Sequence, residues 1–537
     1  MRGLGDEQYR DEVWQKLLAG PQDGAVEWDL VVIGGGIVGA AILREAARLK
    51  LRVLLLEQQD FSWGTSSRSS KMVHGGLRYI ATGDFKITRE SVLERERLLQ
   101  EAAGLVTPLP YLFASRKGQF PGRWSFTALL NIYDLFAGRR DHRFLPPQEL
   151  ELQAPHLRED GLKGACQYTD AATDDARLVL RLLSEAVNDS DSDLLNYVAV
   201  DGLLKEGGRV AGVRTRNVLT GEETDIPARV VVNATGAWAD ALRQQVGGEK
   251  HIRPLRGSHL VFPYYRLPVS QAITIMHPKD KRPVFIFPWE GVTVVGTTDL
   301  DHSADLNTEA AITREEVDYL FELVNNQFPG LQLTEREVLS TWSGIRPVVS
   351  SGKLDPSSER RDHSVWDDQG MISVSGGKLT TFRVIALDVL EAVARYLPLQ
   401  GFDKQLDQRI FTSLADADEQ LGECLPADQR KRLLGRYGAG IVDWLLQEQP
   451  ERLQAIPGTQ TLWTELRWTA INEAVCHLDD LLLRRTRIGL MLREGAMEHM
   501  DKVRELVQPL LGWDDDRWSS EVERYQAICA KFYSLPA

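Results

Sequence analysis

The sequence DLVVIGGGIVGA, residues 29–40, places three glycines between an apolar β-strand and the start of a helix. Gly34, Gly36 and Gly39 match the G-x-G-x-x-G spacing of dinucleotide-binding loops. The first glycine of such a loop allows a tight turn, the second lets the backbone approach a pyrophosphate, and the third lets the helix pack on the strand. The helix N-terminus then presents aligned N–H groups to the phosphates. The stretch therefore predicts a Rossmann-like unit that binds a dinucleotide.

A carboxylate follows at the distance that such a unit requires. The second apolar strand, RVLLLE at residues 52–57, ends in Glu57, 18 residues beyond Gly39. A carboxylate there can accept hydrogen bonds from ribose hydroxyls, and it disfavours a 2′-phosphate. NADP is therefore not expected as the ligand.

The next segment, GTSSRSSKMVHGGLRY at residues 64–79, favours FAD over NAD. It is too polar and too rich in glycine for a plain linker, although a solvated loop is the alternative interpretation. Its hydroxyl groups suit the phosphate chain and ribityl tail of FAD; they belong to Thr65, Ser66, Ser67, Ser69 and Ser70.

Composition narrows the class of protein. The 537 residues carry a formal net charge of −14, which argues against a nucleic-acid binder because such proteins present a basic excess. The four cysteines lie far apart without a C-x-x-C pair, so we expect no disulfide framework, no metal site and a reducing, cytoplasmic setting. No apolar run approaches the ~18–20 residues of a membrane span, and the N-terminus lacks a signal-peptide core.

The pattern of apolar residues divides the chain into three parts. Residues 1–28 form an N-terminal extension with one short helix, residues 29–400 mix strands with helices, and residues 402–537 are helical throughout. We predict a mixed α/β fold with a Rossmann-like FAD-binding domain, a substrate-binding β-sheet cap domain and a C-terminal all-helical domain. The FAD-binding segments are expected at 29–80, 165–245 and 338–400, and the cap segments at 81–164 and 246–337.

Further blocks of sequence carry a family resemblance. In chain order they are TDDARLVL (173–180), VVNATGAW (231–238), RGSHLVF (256–262), VFIFPWEGVTVVGTTD (284–299), WSGIRPV (342–348), RRDH (360–363) and SVSGGKLTTFR (373–383). With these blocks and HGGLRY, the chain resembles the FAD-dependent glycerol-3-phosphate dehydrogenases, in the flavin oxidoreductase superfamily of D-amino acid oxidase. VCHLDDLLLRRTRIGLML (475–492) resembles the helical domain of this subgroup. The N-terminal extension departs from the family pattern and leaves an extra partner open.

The resemblance implies a two-electron oxidation. The C2 hydride of sn-glycerol 3-phosphate would pass to flavin N5 and give dihydroxyacetone phosphate, and the electrons would then pass to membrane quinone. Guanidinium and ammonium groups suit a phosphate dianion because charge-assisted hydrogen bonds are strong. By resemblance, the residues that converge on the substrate are Arg78, Tyr79, Arg346, Arg361 and Lys378.

The reaction also needs a group that accepts the hydroxyl proton. Histidine suits this role near neutral pH, and His74 and His259 lie in matched blocks. Arg346 would share the catalytic role by stabilising the developing alkoxide. The sequence does not rank these three residues.

The resemblance implies further cofactor contacts. A strand should end near the FAD at Ala234, Thr235 and Gly236, and a Gly-Gly turn should pass under the flavin ring. The expected cofactor-binding residues are Gly34, Gly36, Gly39, Glu57, Thr65, Ser66, Ser69, Ser70, Lys71, Ala234, Thr235, Gly236, Gly377, Lys378, Leu379 and Thr380.

Three other functions compete with a quinone-linked dehydrogenase. A glycerol-3-phosphate oxidase would share these motifs but pass electrons to oxygen and release hydrogen peroxide. An amine or amino-acid oxidase fits less well, because three arginines and a lysine suit a phosphate better than a carboxylate plus an amine. A non-catalytic FAD-binding scaffold is disfavoured because the histidines and cations are all present.

One segment has the composition of a membrane-docking surface. Residues 111–146 carry six Lys and Arg against two Asp, with many aromatic residues. Within it, Trp124, Leu129, Ile132 and Phe136 follow helical spacing, which is typical of an interfacial helix with its apolar side in the lipid. The alternative is a helix that packs on the protein's own core. We expect a cytoplasmic protein bound peripherally to the inner face of the cell membrane, and homo-oligomer formation stays open.

Overall fold

The computed structural model describes residues 3–20, 27–81, 83–350, 362–404, 408–422 and 424–536. Its strands are β1 (Trp28–Ile33), β2 (Val53–Leu56), β3 (Met72–Val73), β4 (Val106–Arg116), β5 (Arg143–Leu145), β6 (Leu162–Thr173), β7 (Asp193–Leu195), β8 (Val198–Glu206), β9 (Arg209–Asn217), β10 (Glu223–Asn233), β11 (Ile252–Pro263), β12 (Ala272–Met276), β13 (Pro283–Trp289), β14 (Val292–Gly296), β15 (Leu300–Asp301), β16 (Ser340–Val349), β17 (His363–Asp368) and β18 (Met371–Gly376). Its helices are α1 (Glu7–Ala19), α2 (Ile37–Arg48), α3 (Arg78–Ala81), α4 (Phe85–Glu101), α5 (Arg123–Ala137), α6 (Pro147–Gln153), α7 (Asp175–Asp189), α8 (Ala239–Gln245), α9 (Arg314–Gln327), α10 (Phe382–Val393), α11 (Ala415–Leu421), α12 (Ala427–Tyr437), α13 (Val442–Gln447), α14 (Trp463–Asn472), α15 (Ile488–Met491), α16 (Met500–Leu511) and α17 (Asp515–Phe532).

The first sheet carries the glycine loop and is parallel at its centre. Its strand order is β17-β18-β10-β1-β2-β7, and β1 pairs in parallel with both β2 and β10. Helices α2, α7 and α10 cover one face, while α1 and α8 contribute to the cluster on the other. Burial on both faces explains why β1 and β2 are continuous apolar runs. The predicted Rossmann-like unit is confirmed.

The second sheet has ten strands. Its main order is β15-β11-β14-β13-β12-β4-β6-β3, with β16 on β11 and β5 on β6. This arrangement confirms the predicted cap sheet. The segment 338–400, predicted to bind FAD, includes β16, which pairs with β11 of this sheet from Ser340 to Val349. The division of the chain into segments stays a prediction.

Helix α5 shows how the predicted membrane helix packs. Phe126, Leu130 and Tyr133 are buried in the core, and the predicted lipid-facing residues Leu129, Ile132 and Phe136 pack against the same core. That part of the predicted face is therefore wrong. The exposed apolar side chains are instead Phe120, Trp124 and Leu135, which expose 84%, 77% and 76% of their surface.

The last part of the described chain is helical, as predicted, and it is tied to the first domain by buried ion pairs. Arg484 and Arg485 both bind the carboxylate of Asp60, at 2.5 and 2.6 Å. Arg487 pairs with Asp174 at 3.0 Å and with Asp175. Within the described ranges, no helix combines the length and the apolar character needed to span a bilayer.

Candidate active site

A cavity of about 700 Å³ lies between the two sheets. Its walls come from the ends of β1, β2, β10 and β18 on one side and from β11, β13 and β16 on the other. The size is that of a cofactor or substrate site. The cavity brings together most of the predicted residues: Gly34, Gly36, Glu57, Thr65, Ser66, Ser69, Ser70, His74, Tyr79, Ala234, Thr235, Gly236, Arg346, Gly377, Lys378, Leu379 and Thr380.

The glycine loop forms one end of the cavity. Gly34 has a φ of +110°, and a Cβ on Gly39 would lie 1.9 Å from the Gly34 carbonyl oxygen. Gly39 does not line the cavity; it lets α2 pack on the loop. Gly36 is different, because a Cβ there would meet only the Ser66 side chain within 4 Å. The space in front of Gly36 is therefore open to a ligand's phosphates.

Glu57 is held at the end of β2 by the glycine loop itself. Its Oε2 accepts a hydrogen bond from Gly35 N–H at 2.7 Å, and its Oε1 accepts one from Gln59 N–H at 2.9 Å. Burial raises the pKa of this carboxyl above its usual range. Ribose hydroxyl donors would stabilise the ionised form, since hydrogen bonds to a carboxylate lower its pKa.

The hydroxyl-rich segment lies along the cavity, but its members do different things. Ser66 Oγ accepts a hydrogen bond from Ile37 N–H at 2.9 Å, at the start of α2. Thr65 Oγ donates to the Ile345 carbonyl, which joins the segment to β16. Ser69 Oγ donates to Asp175 at 2.7 Å. These bonds hold the segment in place between the two sheets.

Lys71 does not line the cavity, contrary to the prediction that it binds the cofactor. Its ammonium is fully buried, donates to the Ser67 carbonyl and pairs with Asp175 at 2.8 Å. It also lies 4.7 Å from the centre of the Trp342 ring. Burial, reinforced by nearby Arg487, lowers the pKa of Lys71 to about 8. Its partner Asp175 is remote in sequence, so the motif alone could not show where the side chain goes.

Two turns close the cavity at the ends of β10 and β18. Thr235 donates to Asn233 Oδ1 at 2.7 Å, and Ser375 Oγ donates to the Gly236 carbonyl at 3.0 Å. Gly377 has a φ of +81°, a conformation that glycine adopts without strain. The turn then leads into Lys378, which lines the cavity.

The predicted cations Arg346 and Lys378 both reach the cavity. Arg346 donates to Asp299 Oδ1 at 2.9 Å and to Thr297 Oγ at 3.0 Å. Lys378 donates to Ser91 Oγ at 2.8 Å and lies 4.3 Å from the centre of the Tyr79 ring. These contacts hold both cationic groups at defined positions.

The two candidate histidines occupy different places. His74 lines the cavity, and its backbone N–H and carbonyl are both bonded to Thr380 Oγ at 3.1 Å. His259 is buried and does not line the cavity. Its Nε2 lies 2.9 Å from the Oγ of Ser70, a residue that does line the cavity. Burial, together with the charges of Arg346 and Lys71, lowers the pKa of His259 well below its usual range. The imidazole is therefore neutral at physiological pH.

Two predicted residues are not located. Arg361 lies outside the described residues, and Arg78 begins α3 with a side chain outside the described part of the chain. Their substrate contacts stay predictions.

Several cavity residues were missed by the sequence analysis. Arg282 lines the cavity and donates to the Asp299 carbonyl at 3.1 Å, so Asp299 contacts both Arg282 and Arg346. Asp299 ends the matched block 284–299 and could have been singled out as a partner for a cation. Trp63 and Trp238 also line the cavity, with ring centres 6.0 Å apart.

The residues of the cavity fit FAD. Two buried polar atoms in its wall, Ser62 Oγ and Trp238 Nε1, have no hydrogen-bond partner among the described residues. The bare backbone at Gly36 leaves room for a pyrophosphate, and Glu57, beside the glycine loop, could accept hydrogen bonds from ribose hydroxyls. Within the described ranges, no group of three or more His, Cys, Asp or Glu could hold a metal ion.

Family models match most of the chain. Residues 29–386 match the model described as FAD dependent oxidoreductase, and residues 392–518 match the C-terminal domain of alpha-glycerophosphate oxidase. The predicted cofactor, FAD, is confirmed by this membership.

Relatives agree with the family models over nearly the whole chain. An aerobic glycerol-3-phosphate dehydrogenase of Staphylococcus haemolyticus is 32% identical, with 91% of each chain covered. A glycerol-3-phosphate dehydrogenase of Mycobacterium leprae is 34% identical, over 96% of this chain and 92% of its own. The solved structure of the glycerol-3-phosphate dehydrogenase from Bacillus halodurans, complexed with FAD, has a TM-score of 0.75 at 28% identity and covers 98% of both chains. The chain therefore belongs to the FAD-dependent oxidoreductase family.

Proposed function

We propose that this flavoenzyme oxidises sn-glycerol 3-phosphate to dihydroxyacetone phosphate and passes the electrons to membrane quinone. The observation that carries the proposal is the pair of cations, Arg346 and Lys378, held on the wall of the FAD cavity together with His74. The names of the relatives, which align along nearly the whole chain, support the same substrate.

The cations bind and orient the substrate. Lys378, fixed by Ser91, provides an ammonium for the phosphate, and Tyr79 offers its phenol beside it. Arg346 presents a planar guanidinium whose donors can hold the C2 oxygen or the phosphate. By sequence resemblance, Arg78 and Arg361 complete this set. When bound, FAD would supply the acceptor for the C2 hydride.

The hydroxyl proton needs an acceptor, and two routes are compatible with the geometry. His74 lines the cavity and can accept the proton directly. His259 can accept it through Ser70, which lines the cavity and whose Oγ lies 2.9 Å from His259 Nε2. His259 is neutral, but the burial and the neighbouring cations that lower its pKa also disfavour its taking up a proton. Arg346 stabilises the oxygen as its proton leaves.

We expect anaerobic glycerol 3-phosphate to bleach the flavin band of the wild-type protein, and Lys378→Ala to slow this reaction strongly. Losing a charge-assisted phosphate contact costs ~1.5–3 kcal/mol, which corresponds to a roughly 10- to 150-fold lower kcat/KM. Glycerol, which has no phosphate, should lose much less from the same substitution. The measurement is stopped-flow flavin reduction with both compounds.

Lys502→Ala is the matched control, because Lys502 is an exposed lysine paired with Glu505 on α16. It should behave as wild type. No bleaching of the wild-type protein would favour a non-catalytic scaffold, and equal losses on glycerol and glycerol 3-phosphate would argue against a phosphate role for Lys378.

The final acceptor is proposed to be quinone, with oxygen as the second candidate. Oxygen is a candidate acceptor because residues 392–518 match the C-terminal domain of alpha-glycerophosphate oxidase. A quinone-linked enzyme should release little hydrogen peroxide during aerobic turnover and should reduce a soluble quinone analogue. Stoichiometric peroxide would assign the oxidase activity instead.

For access to quinone, we propose that the exposed side of α5 docks on the inner face of the membrane. Phe120, Trp124 and Leu135 offer apolar contacts, and cations flank them; Arg123, Arg139, Arg140 and Arg143 are all exposed. Apolar side chains that enter the lipid boundary, with cations toward anionic headgroups, characterise interfacial helices.

Reversing three of these charges is expected to weaken membrane binding. Each cation near an anionic surface contributes about 1 kcal/mol, so Arg139→Glu/Arg140→Glu/Arg143→Glu should lower vesicle binding at least tenfold at low salt. Trp124→Ser/Leu135→Ser should also weaken it, whereas Leu446→Ser, an exposed leucine on α13, should not. The assay is co-sedimentation with vesicles containing phosphatidylglycerol. Wild-type binding by a folded triple variant would contradict the proposed docking surface.

A further inference from the structure

The N-terminal helix is built into the core of the FAD-binding domain. Val13, Trp14 and Leu17 of α1 are buried in one cluster with residues of β1 and β2. Trp14 Nε1 also donates to Glu222 at 2.9 Å. The segment packs as an integral layer on the first sheet.

Arg10 is the polar centre of this contact. The side chain is only 7% exposed, and it donates to the carbonyl and side-chain oxygens of Asn196, the latter at 3.1 Å. It also donates to the Tyr197 carbonyl and to Asn217 Oδ1, both at 3.3 Å. Nearby, Tyr9 donates to Asp193 at 3.0 Å. One guanidinium thus fixes the turn between β7 and β8.

That turn is also the support of Glu57. Glu57 N–H donates to the Leu195 carbonyl at 2.9 Å, and Val198 N–H donates to the Glu57 carbonyl at 2.8 Å. Both Glu57 and Val198 line the FAD cavity. The chain of contacts therefore runs from Arg10, through the 195–198 turn, to the carboxylate placed for the ribose.

The beginning of the segment ties the same turn to the helical domain. Leu4 N–H donates to the Asn472 carbonyl at 2.7 Å, and Ala474 N–H donates to the Gly5 carbonyl at 2.8 Å. Asn196 Nδ2 in turn donates to the Ala474 carbonyl at 2.9 Å. The 195–198 turn is therefore held both by Arg10 of α1 and by Ala474 of the helical domain, and residues 3–20 contact both the turn and the helical domain.

We propose that residues 3–20 form a brace for the adenosine end of the FAD site, with Arg10 as the positioning residue. Local opening of the turn would displace Glu57 and the cavity wall beside it, and such openings set how readily a ligand escapes. The brace keeps the site formed by holding the turn from two sides. This inference concerns FAD retention and does not depend on the substrate or acceptor.

The test is the rate of FAD release. Methionine is close to arginine in length but cannot donate hydrogen bonds. When the FAD-loaded protein is mixed with an excess of an apoflavoprotein that captures released FAD, Arg10→Met should therefore lose FAD at least tenfold faster than wild type. Arg10→Met should lower the Tm of the FAD-loaded protein more than the Tm of the apoprotein. Arg10→Lys should recover part of the lost FAD retention. At saturating FAD, the KM of the enzyme for its substrate should be unchanged.

Controls separate the brace from general loss of stability. Asp11→Ala changes an exposed residue of α1, and Arg214→Met removes an exposed arginine paired with Asp225; both should release FAD at the wild-type rate. If Arg10→Met does not fold, Tyr9→Phe/Lys16→Met removes the hydrogen bonds from Tyr9 and Lys16 to Asp193 and should release FAD about threefold faster. Wild-type FAD release by folded Arg10→Met, or by Tyr9→Phe/Lys16→Met where Arg10→Met does not fold, would overturn the proposal.

Discussion

Replacing Gly36 with valine is expected to give a folded protein that no longer retains FAD. The backbone at Gly36 has φ −83° and ψ −174°, which valine adopts readily. A Cβ would approach only the Ser66 side chain, with Oγ at 3.1 Å, and a small shift of that side chain would relieve this tight contact. The two methyl groups, however, would fill the space that a pyrophosphate needs. The ratio of flavin to protein absorbance and the far-UV circular dichroism spectrum test both parts of the expectation.

Two other glycines serve as controls for Gly36→Val. Gly330 has nothing within 4 Å of a Cβ, so Gly330→Val should purify with full FAD. Gly39→Val should instead disrupt folding, because its Cβ would lie 1.9 Å from a carbonyl oxygen. A yellow Gly36→Val protein at full occupancy would mean that the phosphates bind elsewhere.

The placement of the glycine loop beside Glu57 could be predicted because both are local in sequence. Gly34, Gly36, Gly39 and Glu57 lie within one βαβ unit, and a strand, a turn and a helix each leave a pattern that a short window reveals. In the structure, Gly35 N–H donates a hydrogen bond to Glu57 and joins it to the loop. No long-range contact has to be known to reach this conclusion.

Side-chain positions that depend on distant partners could not be predicted. Lys71 belongs to a matched motif, but its ammonium is directed by Asp175, which is itself bonded to Arg487 of the helical domain. Likewise, His259 stacks on Trp342, 4.9 Å between ring centres, and faces Ser70. Motifs identify such residues, whereas packing between remote segments decides which of them reach the cavity.

Helix α5 illustrates a second limit. Its helical period was correctly predicted, but the apolar stripe was assigned to the wrong side. A period shows that apolar residues share a face; it does not show whether core or solvent lies against that face. Because α5 has apolar residues on both sides, only the structure separates buried Phe126 and Leu130 from exposed Trp124 and Leu135.

Arg346→Ala is expected to leave FAD bound but to lower kcat/KM for glycerol 3-phosphate by roughly a hundredfold or more. Removing a charge-assisted contact costs ~1.5–3 kcal/mol, and ~1.4 kcal/mol corresponds to a tenfold change. The loss should lie at the upper end, because Asp299 would remain beside the anionic substrate without the Arg346 guanidinium. Flavin content and stopped-flow flavin reduction measure the two effects separately.

The contribution of Asp299 can be isolated with a double variant. Arg346→Ala/Asp299→Asn removes the carboxylate's charge as well, so it should recover part of the rate lost in Arg346→Ala. Arg346→Lys keeps the charge but cannot hold Asp299 and Thr297 in the same fork, and it should fall between wild type and Arg346→Ala. The matched control is Arg214→Ala, an exposed arginine on β9. If the flavin of Arg346→Ala were reduced as fast as that of the wild type, the substrate would have to bind away from Arg346.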